Sequence, residues 1–356
     1  YTAVTTIAIV GGGLAGAKAA EALREQDFDG DVVIFGVENE LPYERPPLSK
    51  EFMQGKQDLP EFTVHDTDWY LDQRVEFRPG TRIDKVDAEA KTITLPDGST
   101  LVYDKLLLAT GSSSQHIGLP GADASGVHYL RTVDDARAIR DVLTEGTRLA
   151  IVGAGWIGME VAASARERGV EVTIAESAKL PLLRALGPEV AQVFADLHRE
   201  HGVDLRTEVK VEEITTDNGA ATGLRLEGGD TIEADVVLVA AGAVPNLEVA
   251  ESAGLDIDGG GVLVNAGLRS SDPDIYVVGD IANAEHPILE RRVRVEHWAN
   301  ALNQPTVAVT NMLGGSAEYE KLPYFFTDQY DLGMEYSGLS DGYEKVVFRG
   351  DVPGRE

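Results

Sequence analysis

The sequence predicts an α/β fold used twice in one chain, and three observations predict it. A short apolar strand runs into a Gly-x-Gly-x-x-Gly loop and a helix near the start, and the same order returns 142 residues later. Each copy completes a β-α-β unit. Each is then followed by an antiparallel meander and a further apolar strand that ends in glycine.

In the first copy, Thr6-Ile7-Ala8-Ile9-Val10 leads into Gly11-Gly12-Gly13-Leu14-Ala15-Gly16. A helix is expected from about Leu14 to Glu25, in a stretch rich in the strong helix formers Ala, Leu and Glu. Val32-Val33-Ile34-Phe35 closes the unit at about the 30 residues such a unit takes. In the second copy, Leu149-Ala150-Ile151-Val152 leads into Gly153-Ala154-Gly155-Trp156-Ile157-Gly158, then a helix to about Arg168 stopped by Gly169, then strand Val170 to Ala175. Turns at Pro96-Asp97-Gly98, Asp217-Asn218-Gly219 and Gly228-Gly229-Asp230 mark the meanders. The closing strands are Leu106 to Gly111 and Val236 to Gly242.

The loops carry specific chemistry. The first glycine permits the tight strand-to-helix turn, the second lets backbone approach a pyrophosphate, and the third lets helix pack on strand. The phosphates then meet the N–H groups and positive dipole end of the helix. One such loop alone is a weak signal. Two, each after a strand and opening a helix, specify two dinucleotide sites in series.

Glu176 ends the strand of the second copy, 18 residues past Gly158. A carboxylate there accepts hydrogen bonds from an adenosine ribose and repels a 2′-phosphate, so NADH is expected over NADPH. The same glutamate also suits a solvent-facing strand end. In the first copy Val37 has no group for a ribose, and Glu38 is the candidate, with the register open by one residue.

The chain has 356 residues, enough for two or three domains. A net charge of −29 argues against nucleic acid and against anionic lipid. No apolar run approaches the length of a membrane span and no basic leader precedes the first strand, so a cytoplasmic protein is expected. There is no cysteine, which excludes disulfides, thiolate-held clusters and a redox dithiol. The seven histidines show no metal-ligand spacing, His198 and His201 coming nearest, and no metal is expected.

From Pro42-Tyr43-Glu44-Arg45-Pro46-Pro47-Leu48-Ser49-Lys50 onward the chain resembles a particular family. It is similar to the NADH-dependent, FAD-containing ferredoxin reductases that feed Rieske-type dioxygenases and cytochrome P450s, the putidaredoxin, rubredoxin and biphenyl-dioxygenase ferredoxin reductases among them. The likeness continues through Ala109-Thr110-Gly111, Tyr129 to Thr132, Gly153 to Glu160, Pro245-Asn246, Tyr276 to Asp280, Val295 to Ala301 and Thr327 to Tyr330. It implies an FAD-binding domain, 1–112 and 243–320, into which an NAD(H)-binding domain, 113–242, is inserted. It also implies a small α+β C-terminal domain, 321–356, that is incomplete because relatives run further.

The resemblance implies that FAD meets Gly11, Gly13, Leu14, Ala15, Gly16, Glu38, Arg45, Lys50, Ile83, Thr110, Gly111, Arg131, Gly279, Asp280 and Trp298. It implies that NAD meets Gly153, Gly155, Trp156, Ile157, Gly158, Glu160, Glu176 and Gly242. Asp280 closes an apolar strand before a helix-like segment, where it serves a flavin ribitol, an ordinary helix N-cap, or both. Arg45 also suits a surface ion pair with Glu44 or Glu51. Lys50 is expected beside the flavin and paired with Glu160, since burying either alone is costly. Trp298 is expected near the flavin ring, although an aromatic there also suits the core. Lys50, Glu160 and Trp298 are the candidate catalytic residues, in the sense of positioning.

The implied reaction is hydride transfer from NADH to flavin N5, then single electrons to a ferredoxin or rubredoxin. Two alternatives stand beside it: an NADH oxidase or nitrite-reductase-like component, and a redox-sensing interaction protein of the apoptosis-inducing-factor type. Ferredoxins are usually acidic, so docking to this acidic chain needs a local cationic patch, and Arg291, Arg292 and Arg294 are the candidate. A solvated arginine run fits the same residues. A monomer or weak homodimer is expected.

Overall fold

The computed structural model describes residues 5–352 and 354–355. Their internal contacts divide them into two units. The first takes the chain up to Glu44, Leu59–Ser113 and Val244–Phe325; the second takes Arg45–Asp58, Ser114–Ala243 and the chain from Phe326 onward. Segment 45–58 and the stretch from Phe326 thus pack with the second unit. Sequence alone placed the one in the first nucleotide domain and the other in a separate C-terminal domain.

The first unit is built on a five-stranded parallel sheet in the order Ile275–Val277, Lys105–Leu108, Thr6–Val10, Asp31–Phe35, Val75–Arg78. Ile9 lies opposite Ile34 on one side and Leu107 on the other. The central strands are covered on both faces, which is why they read as apolar runs; Ile7, Ile9, Ile34 and Leu106 to Leu108 are wholly buried. Helix Leu14–Glu25 buries an alanine-rich face and packs along helix Trp298–Met312. The predicted meander is present as Lys85–Asp87, Thr92–Thr94 and Thr100–Val102.

From strand Thr6–Val10 the chain moves to one neighbour through the first helix and reaches the other only much later. The crevice at such a reversal, above the carboxyl ends of the strands, is where α/β sheets bind ligands. Gly11, Gly36, Ala109 and Val278 follow four adjacent strand ends there.

The second unit repeats the plan with the order Asp204–Arg206, Glu171–Ala175, Arg148–Val152, Val236–Val239, Val127–His128. Its meander, Val211–Asp217, Ala220–Leu226 and Thr231–Glu233, turns through Asn218 and Gly219, both left-handed at φ +48° and +82°. That is the Asn-Gly hairpin the sequence predicts.

Segment 45–58 lies along helix Trp156–Glu167. The Ser164 hydroxyl donates to the Ser49 carbonyl at 2.7 Å, Lys56 meets Glu167 at 3.0 Å, and Lys50 meets Glu160 at 3.2 Å. Positions 160, 164 and 167 recur at helical spacing, so one helix face holds the whole segment. Among the described residues no helix is long and apolar enough to cross a membrane.

Candidate functional site

The two glycine loops are built alike. Gly11 N–H donates to Phe35 O and Gly153 N–H to Ala175 O, each at 2.9 Å. A Cβ at Gly11 would lie 2.0 Å from Ala109 O, and one at Gly16 2.1 Å from Gly11 O. Its counterparts at Gly153 and Gly158 would lie 2.5 Å from Ala240 O and 2.3 Å from Gly153 O. The middle glycines differ: a Cβ at Gly13 or Gly155 would meet no protein atom within 4 Å. The outer glycines are therefore demanded by the fold, and the middle ones leave open space. Gly13 and Gly155 are also the N-caps of helices Leu14–Glu25 and Trp156–Glu167, with no side-chain cap and no acidic residue in the first turn. A helix start with no side-chain cap and no acidic residue in its own first turn suits a bound phosphate. The residues fit a dinucleotide at each loop.

Around the first loop, Thr110 and Gly111 are clamped by Asn246. Thr110 Oγ1 donates to Asn246 O at 2.7 Å, and Asn246 Nδ2 donates back to Thr110 O at 2.9 Å. Asn246 has no place among the predicted site residues, although its position in Pro245-Asn246 marked it. By ladder position Gly36, not Val37 or Glu38, matches Glu176, because Phe35 and Ala175 take the same bond from the loop. Glu38 lies two residues further and accepts from the Tyr43 hydroxyl at 2.5 Å. Ile83 sits in the apolar core at 4% exposure.

Asp280 is buried in a three-residue 3₁₀ turn, Gly279–Ile281, that continues directly into strand Ala282–His286. The helix expected after it is absent, so its reading as a helix N-cap is corrected. Gly279 adopts φ +77° with no protein atom where a Cβ would project. Trp298 opens the last helix and donates its indole N–H to Glu44 at 3.2 Å. Burial pushes the neighbouring His297 imidazole down to about 4, so this ring stays neutral despite the pull of Asp280.

In the second unit Glu176 turns its carboxylate into the loop. Ala154 N–H donates to Oε2 and Ala178 N–H to Oε1, both at 2.7 Å. Gly242 closes its strand with φ +111° and accepts from Gln115 N–H at 2.9 Å. Trp156 and Ile157 form the first turn of the helix, Ile157 exposed and Trp156 set edge-on to Phe194.

Lys50 and Glu160 are brought together as the resemblance implies, at 3.2 Å and only 5% and 6% exposed. Ser49 donates to the same Glu160 oxygen and Thr327 to the other at 2.7 Å. These hydroxyls were not among the predicted residues. Arg45 donates to the Arg131 carbonyl at 2.5 Å, and Arg131 precedes a capping box formed by Thr132 and Asp135.

The arginine run lies at the edge of a four-stranded sheet, on and beside strand Arg291–Val293. Arg292 donates to the carbonyls of Val264 and Asn283, and Arg294 to Asp280 O, with Glu285 and Glu296 as their acidic partners. Arg292 and Arg294 are thus tied into the fold. No metal-binding cluster of His, Cys, Asp or Glu occurs among the described residues.

Two nucleotide loops on two similar parallel sheets define a class of oxidoreductase. The chain belongs to the pyridine nucleotide-disulphide oxidoreductase family, whose model matches residues 5–304. Membership makes it an FAD-containing enzyme that uses a pyridine nucleotide. Among its relatives is the ferredoxin–NAD(+) reductase component of an anthranilate 1,2-dioxygenase system from Burkholderia cepacia, 43% identical over 96% of this chain and 84% of the relative. Putidaredoxin reductase from Pseudomonas putida is 36% identical over 97% and 83%. Solved structures of a ferredoxin reductase from Rhodopseudomonas palustris and of a covalent putidaredoxin reductase–putidaredoxin complex each match with a TM-score of 0.94 at 34% identity. They cover 98% of this chain and 86% and 84% of theirs.

Proposed function

We propose that the chain is an NADH:ferredoxin reductase that serves an oxygenase or cytochrome P450 system. Bound flavin supplies the chemistry, taking a hydride from the nicotinamide and releasing electrons one at a time. The carrying observation is the pair of glycine loops with open middle glycines in a chain without cysteine. A cysteine-free protein cannot send electrons to a disulfide of its own. The relatives' names point to a separate iron–sulfur protein as acceptor.

Gly11 to Gly16 receive the FAD pyrophosphate, and Thr110, Gly111, Gly279 and Asp280 face the same cofactor across the crevice. Glu38, Ile83 and Trp298 complete the contacts in that unit. Arg45, Lys50 and Arg131 are proposed as further FAD contacts on the resemblance alone. Gly153 to Gly158, Gly242 and Glu176 receive NADH, with Glu160 beside Lys50. Glu176 supports NADH over NADPH, because its carboxylate sits beside the loop where an adenosine ribose is read. Ferredoxin docks at the edge carrying Arg291, Arg292 and Arg294.

The test is the visible spectrum of the purified protein, anaerobic titration with NADH, and then addition of a small ferredoxin. Flavin absorbance that bleaches with NADH and returns with ferredoxin is expected. A colourless protein that takes up no FAD, or a reduced flavin that ferredoxin leaves reduced, overturns the proposal.

A further inference from the structure

Thr327, Gln329 and His198 are polar side chains that no nucleotide loop uses, and each is 0% exposed. Thr327 and Gln329 lie two apart on a strand and share its inner face, while Asp328 between them is exposed. Their hydrogen bonds run one way. Thr327 Oγ1 donates to Glu160 Oε1 at 2.7 Å and accepts from Gln329 Nε2 at 3.1 Å. Gln329 Oε1 accepts from His198 Nε2 at 2.8 Å. Nδ1 of His198 is left to accept from the Tyr330 hydroxyl at 3.4 Å.

We propose that Thr327, Gln329 and His198 are positioning residues: a one-way chain of donors that holds the Glu160 carboxylate aimed at Lys50, and so fixes the Lys50 ammonium for the flavin. This rests on the reading in which Lys50 serves a bound flavin. A buried carboxylate keeps its charge only when cations and donors meet it. Lys50 supplies the charge here, and Ser49 and Thr327 supply hydroxyls.

A hydroxyl rotates, and what fixes the Thr327 proton on Glu160 is the Gln329 amide donating to the Thr327 oxygen. The amide is fixed in turn by His198 carrying its proton on Nε2. Burial pushes this imidazole down to about 4, so it stays neutral at ordinary pH and keeps one tautomer. Among the described residues, Lys50 is the charged group in contact with Glu160. His198 is the titratable group at the far end of the chain, with Tyr330 against it and His201 stacked on Tyr330 at 3.7 Å. The Lys50 ammonium lies 5.5 Å from the centre of the Phe326 ring and is buried, so the place of the Glu160 carboxylate decides its own.

The test has two arms. In the wild-type protein, nitrogen NMR of the histidines should show His198 neutral, with its proton on Nε2, from mildly acid to alkaline pH. A charged ring or an Nδ1–H form at neutral pH overturns the proposal, because the chain runs only through Nε2–H.

In the FAD-loaded protein, Thr327→Val should shift the flavin midpoint potential. It should also slow flavin reduction by NADH severalfold. Thr327→Ser should restore both. A Thr327→Val protein with the wild-type potential and rate of flavin reduction overturns the proposal. A wild-type protein that holds no FAD, or that NADH does not reduce, instead sinks the underlying reading and leaves the histidine result standing.

Discussion

The carboxylate of Glu176 accepts from the backbone N–H of Ala154, 2.7 Å away, inside the second glycine loop. One side chain therefore shapes the loop and presents negative charge beside the adenosine end of the cofactor proposed there. For Glu176→Ser, the ratio of kcat/KM for NADPH to that for NADH should rise about tenfold or more, as removing a repulsive contact predicts. Both absolute values should fall, because the loop loses an acceptor. An unchanged ratio would show that Glu176 only braces the loop.

The glycines of the first loop separate folding from binding. Gly16→Ala must displace the Gly11 carbonyl 2.1 Å away, whereas at Gly13 no protein atom stands in the way. Gly13→Ala is expected to fold with the thermal stability of the cofactor-free parent and to lose FAD. Gly16→Ala is expected to lose about 1–3 kcal/mol of stability from the overpacking. If Gly13→Ala retains FAD with parental affinity, the pyrophosphate does not pass over that glycine.

Lys50 and Glu160 illustrate a buried pair in which the parts matter more than the sum. Lys50→Met leaves the Glu160 charge buried without its counter-ion, a loss of about 3–5 kcal/mol. Adding Glu160→Gln removes that charge and should recover a good part of the loss. It keeps an acceptor for one of the two hydroxyls, Ser49 or Thr327, while the other must turn to accept from the new amide. Denaturant titration of Lys50→Met, Glu160→Gln and the double variant measures the coupling. A double variant as unstable as the sum of the single ones would mean the two side chains act independently.

Much of this was legible beforehand for a physical reason. Buried parallel strands leave unbroken apolar runs, and loops that crowd backbone on backbone leave glycines, so Thr6 to Gly16 and Leu149 to Gly158 announce themselves. Asp280 follows an apolar strand as expected, but in place of the expected helix stand a 3₁₀ turn that contains it and a strand. A Gly-Asp pair opens either kind of segment, and only the pairing of Ala282–His286 with its neighbours decides. Asn246, Ser49, Thr327, Gln329 and His198 were missed as site residues because each acts through a partner far along the chain. Short polar side chains carry no periodicity that reveals such a partner.

His198 also sets an acid limit on stability. Its folded value of about 4 lies below the value near 6.5 of an unfolded histidine. As pH falls through about 6.5 the unfolded chain takes up the proton first, so stability is lost progressively until about pH 4, and is undiminished at higher pH. The loss is on the order of 3 kcal/mol. His198→Gln should flatten the fall of stability across this window without abolishing it, because burial holds His297 down to about 4 as well. Equal slopes in denaturant titrations of parent and variant would contradict the assignment.

The arginine edge gives a direct test of partner docking. Arg292 and Arg294 donate to main-chain carbonyls and to Glu285 and Glu296, so reversing their charge disturbs the fold and the partner together. Arg291 is exposed on the outermost strand. An exposed charge at the rim of an interface acts on encounter rate more than on the bound complex. Arg291→Glu should therefore slow ferredoxin reduction severalfold at low salt, with the difference shrinking as salt rises toward a Debye length of about 8 Å. NADH turnover with ferricyanide, which needs no docked protein, should be unchanged. Equal loss in both assays would place the defect in the nucleotide sites, and no loss in either would place ferredoxin on another face.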